Sequence, residues 1–237
     1  MCPLGIGVHK IIPFLSIIIP ALNEEANLAA TLASIPFIPD IEIILVDGGS
    51  RDQTIELARG LGVEVLQSLP GRARQMNAGA RLASGEVLLF LHADTQLPDQ
   101  FFSYVQGMMA KPGIAAGCFS LSILESGFAL RVIACMANLR SRFLQMPYGD
   151  QAIFLRAKLF WKIGGFPELP VMEDVALVRR LRGLGRIETL PATVSTSSRR
   201  WQREGLLRTT LVHQIALIGY FLGVSPRRIA RWRQSAI

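Results

Sequence analysis

The residues in this chain best suited to chemistry stand immediately after apolar runs. The clearest case is His92-Ala93-Asp94, which follows Val87 to Leu91. Residues two apart on an extended strand project to the same side, so the His92 imidazole and the Asp94 carboxylate would leave the strand together. That pair has the donor chemistry to hold a divalent cation, and a cation there would grip a diphosphate. The alternative is a loop that begins at Asp94-Thr95 ahead of Pro98, with His92 packed or solvated. Read alone, the segment leaves both open. Three further groups follow the same placement: Asn23 and Glu24 after a first apolar run, Asp47 after a second, and Glu173-Asp174 at the start of a helix. The helix dipole by itself would explain acids at that last position. Arg72 and Arg74 do the opposite, since cations in a first helical turn oppose the dipole and point to a nearby anion, unless they form a solvated basic face.

The elements that must position these groups are legible as an alternation. Val87 to Leu91 has no polar residue between its apolar ones, the pattern of a strand buried on both faces of a parallel sheet. Leu15 to Ile19 is a β-branched run closed by Pro20, after which Asn23, or the turn around it, opens a helix with Leu28, Leu32 and Ile35 on one side, terminated by Pro36 and Pro39. Ile41 to Val46 is the next strand. Asp52 then caps a helix with Ile55, Ala58 and Leu61 inside, and Val63 to Leu66 follows as a short strand. A helix from Gly71 turns Ala73, Met76, Ala80 and Ala83 inward and carries Arg74, Asn77 or Ala78, and Arg81 on another stripe. Beyond the central strand come a helix capped by Asp99 and running to Ala110, a strand Ile114 to Leu121, a helix Phe128 to Leu144, and a strand Ala152 to Leu155. A helix Lys158 to Ile163, a Gly164-Gly165 hinge and a helix through Arg182 complete this part. Such strand-helix alternation predicts a mostly parallel sheet with right-handed crossovers, whose ligands bind at the carboxyl ends of the strands.

At 237 residues and 50% hydrophobic, the chain is long enough for one sizeable domain with an appendage. A formal charge of +7 is compatible with nucleic acid, an anionic membrane surface or a small phosphorylated substrate. Acids gathered at one mouth argue against nucleic acid, because a phosphate-binding surface would avoid them. Cys2, Cys118 and Cys135 show neither C-x-x-C nor zinc spacing, so the expectation is free thiols in a reducing cytoplasm. The apolar stretch Ile11 to Leu22 is interrupted by Pro13 and Pro20 and lacks a small-residue cleavage site, so it reads as the first core strand rather than a signal peptide. No uninterrupted apolar run reaches the ~18 residues of a spanning helix. Leu206 to Leu222 is nonetheless rich in apolar residues, with Leu207, Leu211, Ile215, Ile218 and Leu222 in one stripe, and Arg227, Arg228, Arg231, Trp232 and Arg233 follow it. Three roles stay open for this end: closing the domain, forming a homodimer, or peripheral contact with an anionic membrane on its cytoplasmic face.

Four features stand in order: Pro20-x-x-Asn23-Glu24, Val46-Asp47-Gly48-Gly49-Ser50-x-Asp52, His92-Ala93-Asp94 and Glu173-Asp174. This order resembles the family 2 glycosyltransferases of the GT-A nucleotide-sugar fold. Gly71-Arg72-x-x-Gln75-x-Asn77-x-Gly79, Tyr148-Gly149-Asp150-Gln151, Gly164-Gly165-Phe166 and Ser198-Arg199-Arg200-Trp201 are similar to its radical-SAM and selenium-associated subgroup. The resemblance implies a GT-A domain over 1–200, with a nucleotide-binding half to 95 and an acceptor and catalytic half from 96, then a helical basic appendage over 201–237. It implies a nucleotide-diphosphate sugar donor bound by Pro20, Asn23, Glu24, Asp47, Gly49, Arg74, Asn77 and Ala93. Asp94 matches the last acid of the family's Asp-x-Asp, which holds Mn²⁺ or Mg²⁺, with His92 beside it. Asp174 matches the general base, with Glu173 orienting or capping. The implied activity is a non-processive, inverting transfer of a hexosyl class of sugar to an acceptor hydroxyl that the sequence does not identify. Two departures stand out: His92 replaces the first acid of Asp-x-Asp, and Ser197 stands where processive synthases carry the Gln of Gln-x-x-Arg-Trp. The competing reading is a non-catalytic binding protein, either a degenerate transferase domain or a basic module for nucleic acid or membrane.

Overall fold

The computed structural model describes residues 12–124 and 127–235, so Cys2 and the first residue of the 11–22 stretch lie outside the described residues. The first half alternates as expected: β1 (Leu15–Ala21), α1 (Glu25–Ala33), β2 (Ile41–Asp47), α2 (Thr54–Gly60), β3 (Glu64–Gln67), α3 (Arg72–Leu82) and β4 (Val87–Phe90). A two-residue strand β5 (Thr95–Gln96), α4 (Phe101–Met109), β6 (Ile114–Ile123), α5 (Phe128–Leu144) and a 3-10 turn (Gly149–Gln151) follow. The chain continues through β7 (Phe154–Arg156), α6 (Ala157–Lys162), α7 (Glu173–Arg182), β8 (Arg186–Thr196), α8 (Arg199–Glu204), α9 (Leu206–Phe221) and α10 (Pro226–Ser235).

All eight strands join one sheet in the order β3-β2-β1-β4-β7-β6-β8-β5. β1 is parallel to both β2 and β4, so the order of the chain reverses direction across the sheet between β1 and β4, which opens a crevice at their carboxyl ends. β7 is antiparallel to β4 and to β6. Its amino end therefore lies where β4 finishes, and the 3-10 turn that precedes it is brought to the same crevice. β8 runs parallel to β6 and so delivers its own carboxyl end there too.

The unbroken apolar character of the central strands follows from two cores. Leu15, Ile17 and Ile19 of β1, with Val87 and Leu89 of β4, pack with α1, α2, α4 and α5 on one side. Ile18, Leu88 and Phe90 pack with α3, α6, α7, α9 and α10 on the other. Each residue of these strands is thus buried whichever way it points.

Several local expectations are corrected. β1 runs through Pro20 to Ala21, in register with Val46 and Asp47. The Ile18 carbonyl accepts from Leu91 N–H, and Pro20 faces the same edge two residues on, where β4 has ended and no ladder donor is required. Asp99 does not cap α4, whose N-cap is Gln100 in a left-handed conformation. Asp52 does serve α2, accepting from Thr54 N–H at 3.1 Å, but the helix buries Thr54 and Ala58 and leaves Leu61 exposed. β8 was not foreseen: a proline and alternating charge hide an 11-residue strand that is paired along most of its length. On α9 the buried residues are Ala216, Leu217 and Gly219, while Leu207, Leu211, Ile215, Ile218 and Leu222 face outward. Among the described residues, no helix is long and apolar enough to cross a membrane.

The position of α3 rests on a glycine. A Cβ at Gly79 would lie 2.6 Å from Ile18 Cγ2 and 2.9 Å from Val46 Cγ2, so the helix sits directly on β1 and β2. Gly79→Ala must push α3 off the sheet, and overpacking of this kind costs about 1–3 kcal/mol. Urea denaturation should show a lower midpoint with an unchanged slope; an unchanged midpoint would mean that α3 has slack at this contact.

Candidate active site

Each acid singled out by its place after a strand lies in or near the crevice, but they divide by task. Asp47 is fully buried, and its carboxylate accepts from the backbone N–H of Gly49 at 2.8 Å and Ser50 at 3.0 Å. It therefore shapes the 48–50 turn at the end of β2. Gly49 is exposed with φ of 98°, a left-handed conformation that suits glycine. Asn23 is also left-handed (φ 55°) and sits in the turn that opens α1, whose N-cap is Glu24. Its Oδ1 accepts from Arg51 N–H, and its own N–H donates to Ser50 Oγ, which stitches the end of β1 to the turn after β2.

The motif around α3 is architectural apart from its arginines. Gln75 Nε2 donates to the carbonyls of Ala21 and Val46, both at 2.8 Å, tying together the ends of β1 and β2. Asn77 is buried and bonds Phe166 in both directions, donating to its carbonyl at 2.8 Å and accepting from its N–H at 3.0 Å. Its amide is thus committed to the 165–166 turn. Arg74 pairs with Glu168 at 3.1 Å on an exposed surface. Arg72 is the arginine that reaches the acids, 3.5 Å from Glu173.

β4 ends at Phe90, so His92 and Asp94 sit in a turn closed by Thr95 N–H donating to the His92 carbonyl at 3.1 Å. The period-two argument does not apply in a turn, and the two side chains have different neighbours. His92 faces the 3-10 turn: a Cβ at Gly149 would lie 3.0 Å from His92 Nε2 and 3.4 Å from Asp174 Oδ2. Glycine here lets the imidazole and the Asp174 carboxylate close on the same point. Gly149 N–H also donates to Asp174 Oδ2 at 2.8 Å, and Val175 N–H donates to Oδ1 at 2.8 Å. Asp174 remains partly exposed, whereas Glu173 is buried. Burial, and then the neighbouring Asp174, push the Glu173 carboxyl above the usual range, against the pull of Arg72.

Asp94 faces the other way, toward Arg199, a residue that sequence reasoning did not select. The Arg199 guanidinium bonds Glu24 Oε1 and lies 3.7 Å from Asp94 Oδ2. Ser197 N–H donates to the Asp94 carbonyl at 3.1 Å, and Thr95 pairs with Thr196, so β8 sews this arginine onto the turn after β4. Burial raises the Glu24 pKa, Arg199 opposes that, and Asp94 adds to it. Ala93 is buried, and its carbonyl accepts from Thr31 Oγ1 at 2.8 Å, which anchors the turn to α1.

Among the described residues, no three His, Cys, Asp or Glu side chains are arranged as a metal cage. Magnesium-type sites do not need one, because one or two carboxylates complete a sphere with water and substrate phosphates. Asp94 and Glu24, two carboxylates already held by a shared cation, fit that chemistry; His92 lies toward the Gly149 side.

Comparison with known proteins bears on this site. A model of glycosyl transferase family 2 matches residues 16–164. The chain is 44% identical over 171 residues to a PGL/p-HBAD biosynthesis glycosyltransferase of Mycobacterium bovis, covering 65% of this chain and 63% of that protein. It is 29% identical over 171 residues to an uncharacterized glycosyltransferase of Haemophilus influenzae, covering 69% and 54%. The chain thus spans less than two thirds of the length of these relatives. In fold it is similar to S. aureus TarS 1-349 in complex with UDP (TM-score 0.64, 20% identity, 77% of this chain and 60% of that one). It is likewise similar to glucosyl-3-phosphoglycerate synthase from Mycobacterium tuberculosis in complex with Mn²⁺ and UDP-glucose (TM-score 0.59, 21% identity, 76% and 70%). The fold is of the GT-A type, and with its family model covering well over half of the sequence, this chain belongs to glycosyl transferase family 2.

Proposed function

We propose that this protein is a non-processive, inverting glycosyltransferase that moves a sugar of the hexosyl class from a nucleotide-diphosphate donor to an acceptor hydroxyl. The observation that carries this reading is the convergence of Asp174, His92, Asp94, Glu24 and Arg199 at the carboxyl ends of β1 and β4. A basic binding module would not gather buried and half-buried acids at its mouth. The motifs shared with the radical-SAM and selenium-associated subgroup support a placement there. UDP is the nucleotide to test first, since both structural neighbours named above were crystallised with UDP or a UDP-sugar.

In this reading the donor lies over the β1–β4 crevice. Asn23 and Glu24 border the nucleotide, and Pro20, Asp47, Gly49 and Asn77 hold the backbone that forms the floor. Asp94, with Glu24 beside it, would hold a divalent Mn²⁺ or Mg²⁺, which supplies positive charge to the donor diphosphate, while His92, expected as a ligand from the sequence, lies on the Gly149 side. Arg199 is poised to exchange Glu24 and Asp94 for the phosphate oxygens on which charge develops as the nucleoside diphosphate departs. Asp174 takes the proton of the acceptor hydroxyl as its oxygen attacks the anomeric carbon. Gly149 N–H fixes this carboxylate, and buried Glu173, paired with Arg72, orients the start of α7. A base on the face opposite the leaving group gives inversion.

Exposed apolar side chains on α5 (Phe128, Val132, Met136, Phe143) and α9 (Leu207, Leu211, Ile218), interspersed with Arg131, Arg142 and Arg208, support peripheral contact with an anionic membrane on its cytoplasmic face. A homodimer through the same helices is the second reading that these rows favour. Flotation separates them: retention with anionic vesicles at low salt supports the membrane, whereas a soluble species of twice the mass supports the dimer.

Three substitutions test the chemistry. Asp94→Ala should abolish Mn²⁺-dependent UDP binding by calorimetry, and Arg199→Ala should weaken it about ten- to a hundredfold, as expected when a charged hydrogen bond worth ~1.5–3 kcal/mol is lost. Unchanged affinity in both variants would refute the donor site. Asp174→Asn should retain UDP affinity and lose ~10²- to 10⁴-fold in turnover. A loss of only a few-fold would assign the base elsewhere.

A further inference from the structure

Behind the 148–151 turn, between α5, α8, α9 and α10, lies a cavity of about 400 Å³. Small-molecule sites typically enclose ~300–1,000 Å³, so it has room for a ring with a short chain. Val132, Met136 and Ala137 of α5, Trp201 of α8 and Val212 of α9 give it a largely apolar wall. Arg140 also lines it, but its guanidinium lies 3.4 Å from the centre of the Tyr148 ring and donates to the Met146 carbonyl at 2.9 Å. Arg208 lines it from an exposed position, and Glu204, His213 and Arg233 complete its charged and polar rim.

Asp150 does not suit an apolar wall. The residue opens partly onto the cavity and its carboxylate is held by its own backbone N–H, while its Oδ1 is shut off from solvent and has no hydrogen-bond partner among the described residues. Thr210 Oγ1, also on the cavity wall, is in the same state. A carboxylate enclosed in this way destabilises the fold unless something pairs with it. Its sequence neighbour Gly149 is the residue that holds Asp174 and abuts His92. The polar end of the cavity therefore lies one residue from the proposed base.

We propose that this cavity is the acceptor subsite, that it takes an amphipathic phenol or alcohol with a compact apolar body, and that Asp150 accepts a hydrogen bond from a hydroxyl of that molecule. This rests on the glycosyl-transfer reading for its chemistry, but the binding it requires is independent of the donor. The apolar wall holds the body by excluding water, and the enclosed carboxylate discriminates strongly for a hydroxyl, because a ligand without one leaves Asp150 unpaired. A phosphate head is disfavoured beside Asp150.

Calorimetry on the intact protein with 4-pentylphenol, 4-pentylanisole and pentyl phosphate tests this. The phenol should bind saturably, with the methyl ether and the phosphate each at least about tenfold weaker. Asp150→Asn should erase the preference for phenol over ether, and Met136→Trp, at an exposed position on the rim of the wall, should abolish binding while UDP affinity holds. Equal binding of phenol and ether, a preference for the phosphate, or unchanged binding in Met136→Trp overturns the proposal. Loss of UDP binding with phenol binding intact would instead remove the transferase reading and leave the cavity as a site. Recruitment to phosphatidylcholine vesicles doped with 4-pentadecylphenol identifies a lipid-borne acceptor, and binding in solution alone identifies a soluble one.

A stability measurement provides a second check. Burial raises the Asp150 pKa, with Asp174 adding to it and Arg140 and Arg72 opposing. The folded state thus favours the protonated carboxyl, and stability falls as pH rises from the ordinary aspartate value of 3.8 through the raised one. Asp150→Asn should melt a few degrees higher than wild type at pH 7, with the advantage shrinking as pH is lowered toward 4. A variant no more stable at pH 7 would show that the carboxylate is already satisfied within the chain, and the proposal would fail.

Discussion

One guanidinium holds the mouth of this protein together. Glu24 follows β1 and Asp94 follows β4, and like charges brought side by side at strand ends repel unless a cation lies between them. Arg199 is that cation, and the topology is arranged to deliver it. β8 must run parallel to β6 for its carboxyl end to reach the crevice, and the short β5–β8 pairing fixes Thr196 against Thr95, which sets Ser197 on Asp94. The ion pairs are partly exposed, and such pairs contribute only ~0–1 kcal/mol to folding. Their significance lies in the site: weakly held carboxylates and an exchangeable cation are what a diphosphate and its metal can rearrange on binding.

The surrounding backbone is held far more firmly, and by neutral groups. Gln75 joins the last carbonyls of β1 and β2, Asn77 clamps the 165–166 turn, and Gly79 lets α3 rest on Ile18 and Val46. Buried neutral hydrogen bonds carry no desolvated charge, so they fix the floor of the crevice without altering its electrostatics. This separation explains why polar residues on one helix, close together in sequence, have different tasks: Arg72 reaches the acids, while Gln75 and Asn77 bond the backbone of β1, β2 and the 165–166 turn.

The sequence displayed the elements whose burial is two-sided or strictly periodic. β1, β2 and β4 were legible because both their faces are apolar, and α1 because Leu28 and Leu32 repeat at helical spacing. β8 was not, since Pro191, Arg186 and Glu188 break any apolar pattern; its strand character comes from β6 alongside it, which no local signal reports. Asp94, Asp174 and Glu173 could be selected because acids after strands and at helix starts are conspicuous. Arg199 stands in a motif visible in the sequence, but its role could not be assigned there, because it depends on where β8 ends. Asp47 and Asn77 show the converse limit: a polar residue near a ligand end looks the same in sequence whether it faces the ligand or ties down the turn beneath it.

The same reasoning distinguishes Asp150 from Glu173, two enclosed carboxylates on neighbouring segments. Glu173 has Arg72 at 3.5 Å and a place in the first turn of α7, where the dipole favours it, so its burial has a structural compensation. The Asp150 carboxylate is favoured by attraction to Arg140 and Arg72 and by its own backbone N–H, but its Oδ1 meets no donor among the described residues. An apolar or amide side chain would serve the fold better at that point. A destabilising charge at the meeting of an apolar cavity and a catalytic turn is accounted for by chemistry outside the folded chain, and a hydroxyl donor arriving through the cavity is the partner that both its burial and its surroundings admit.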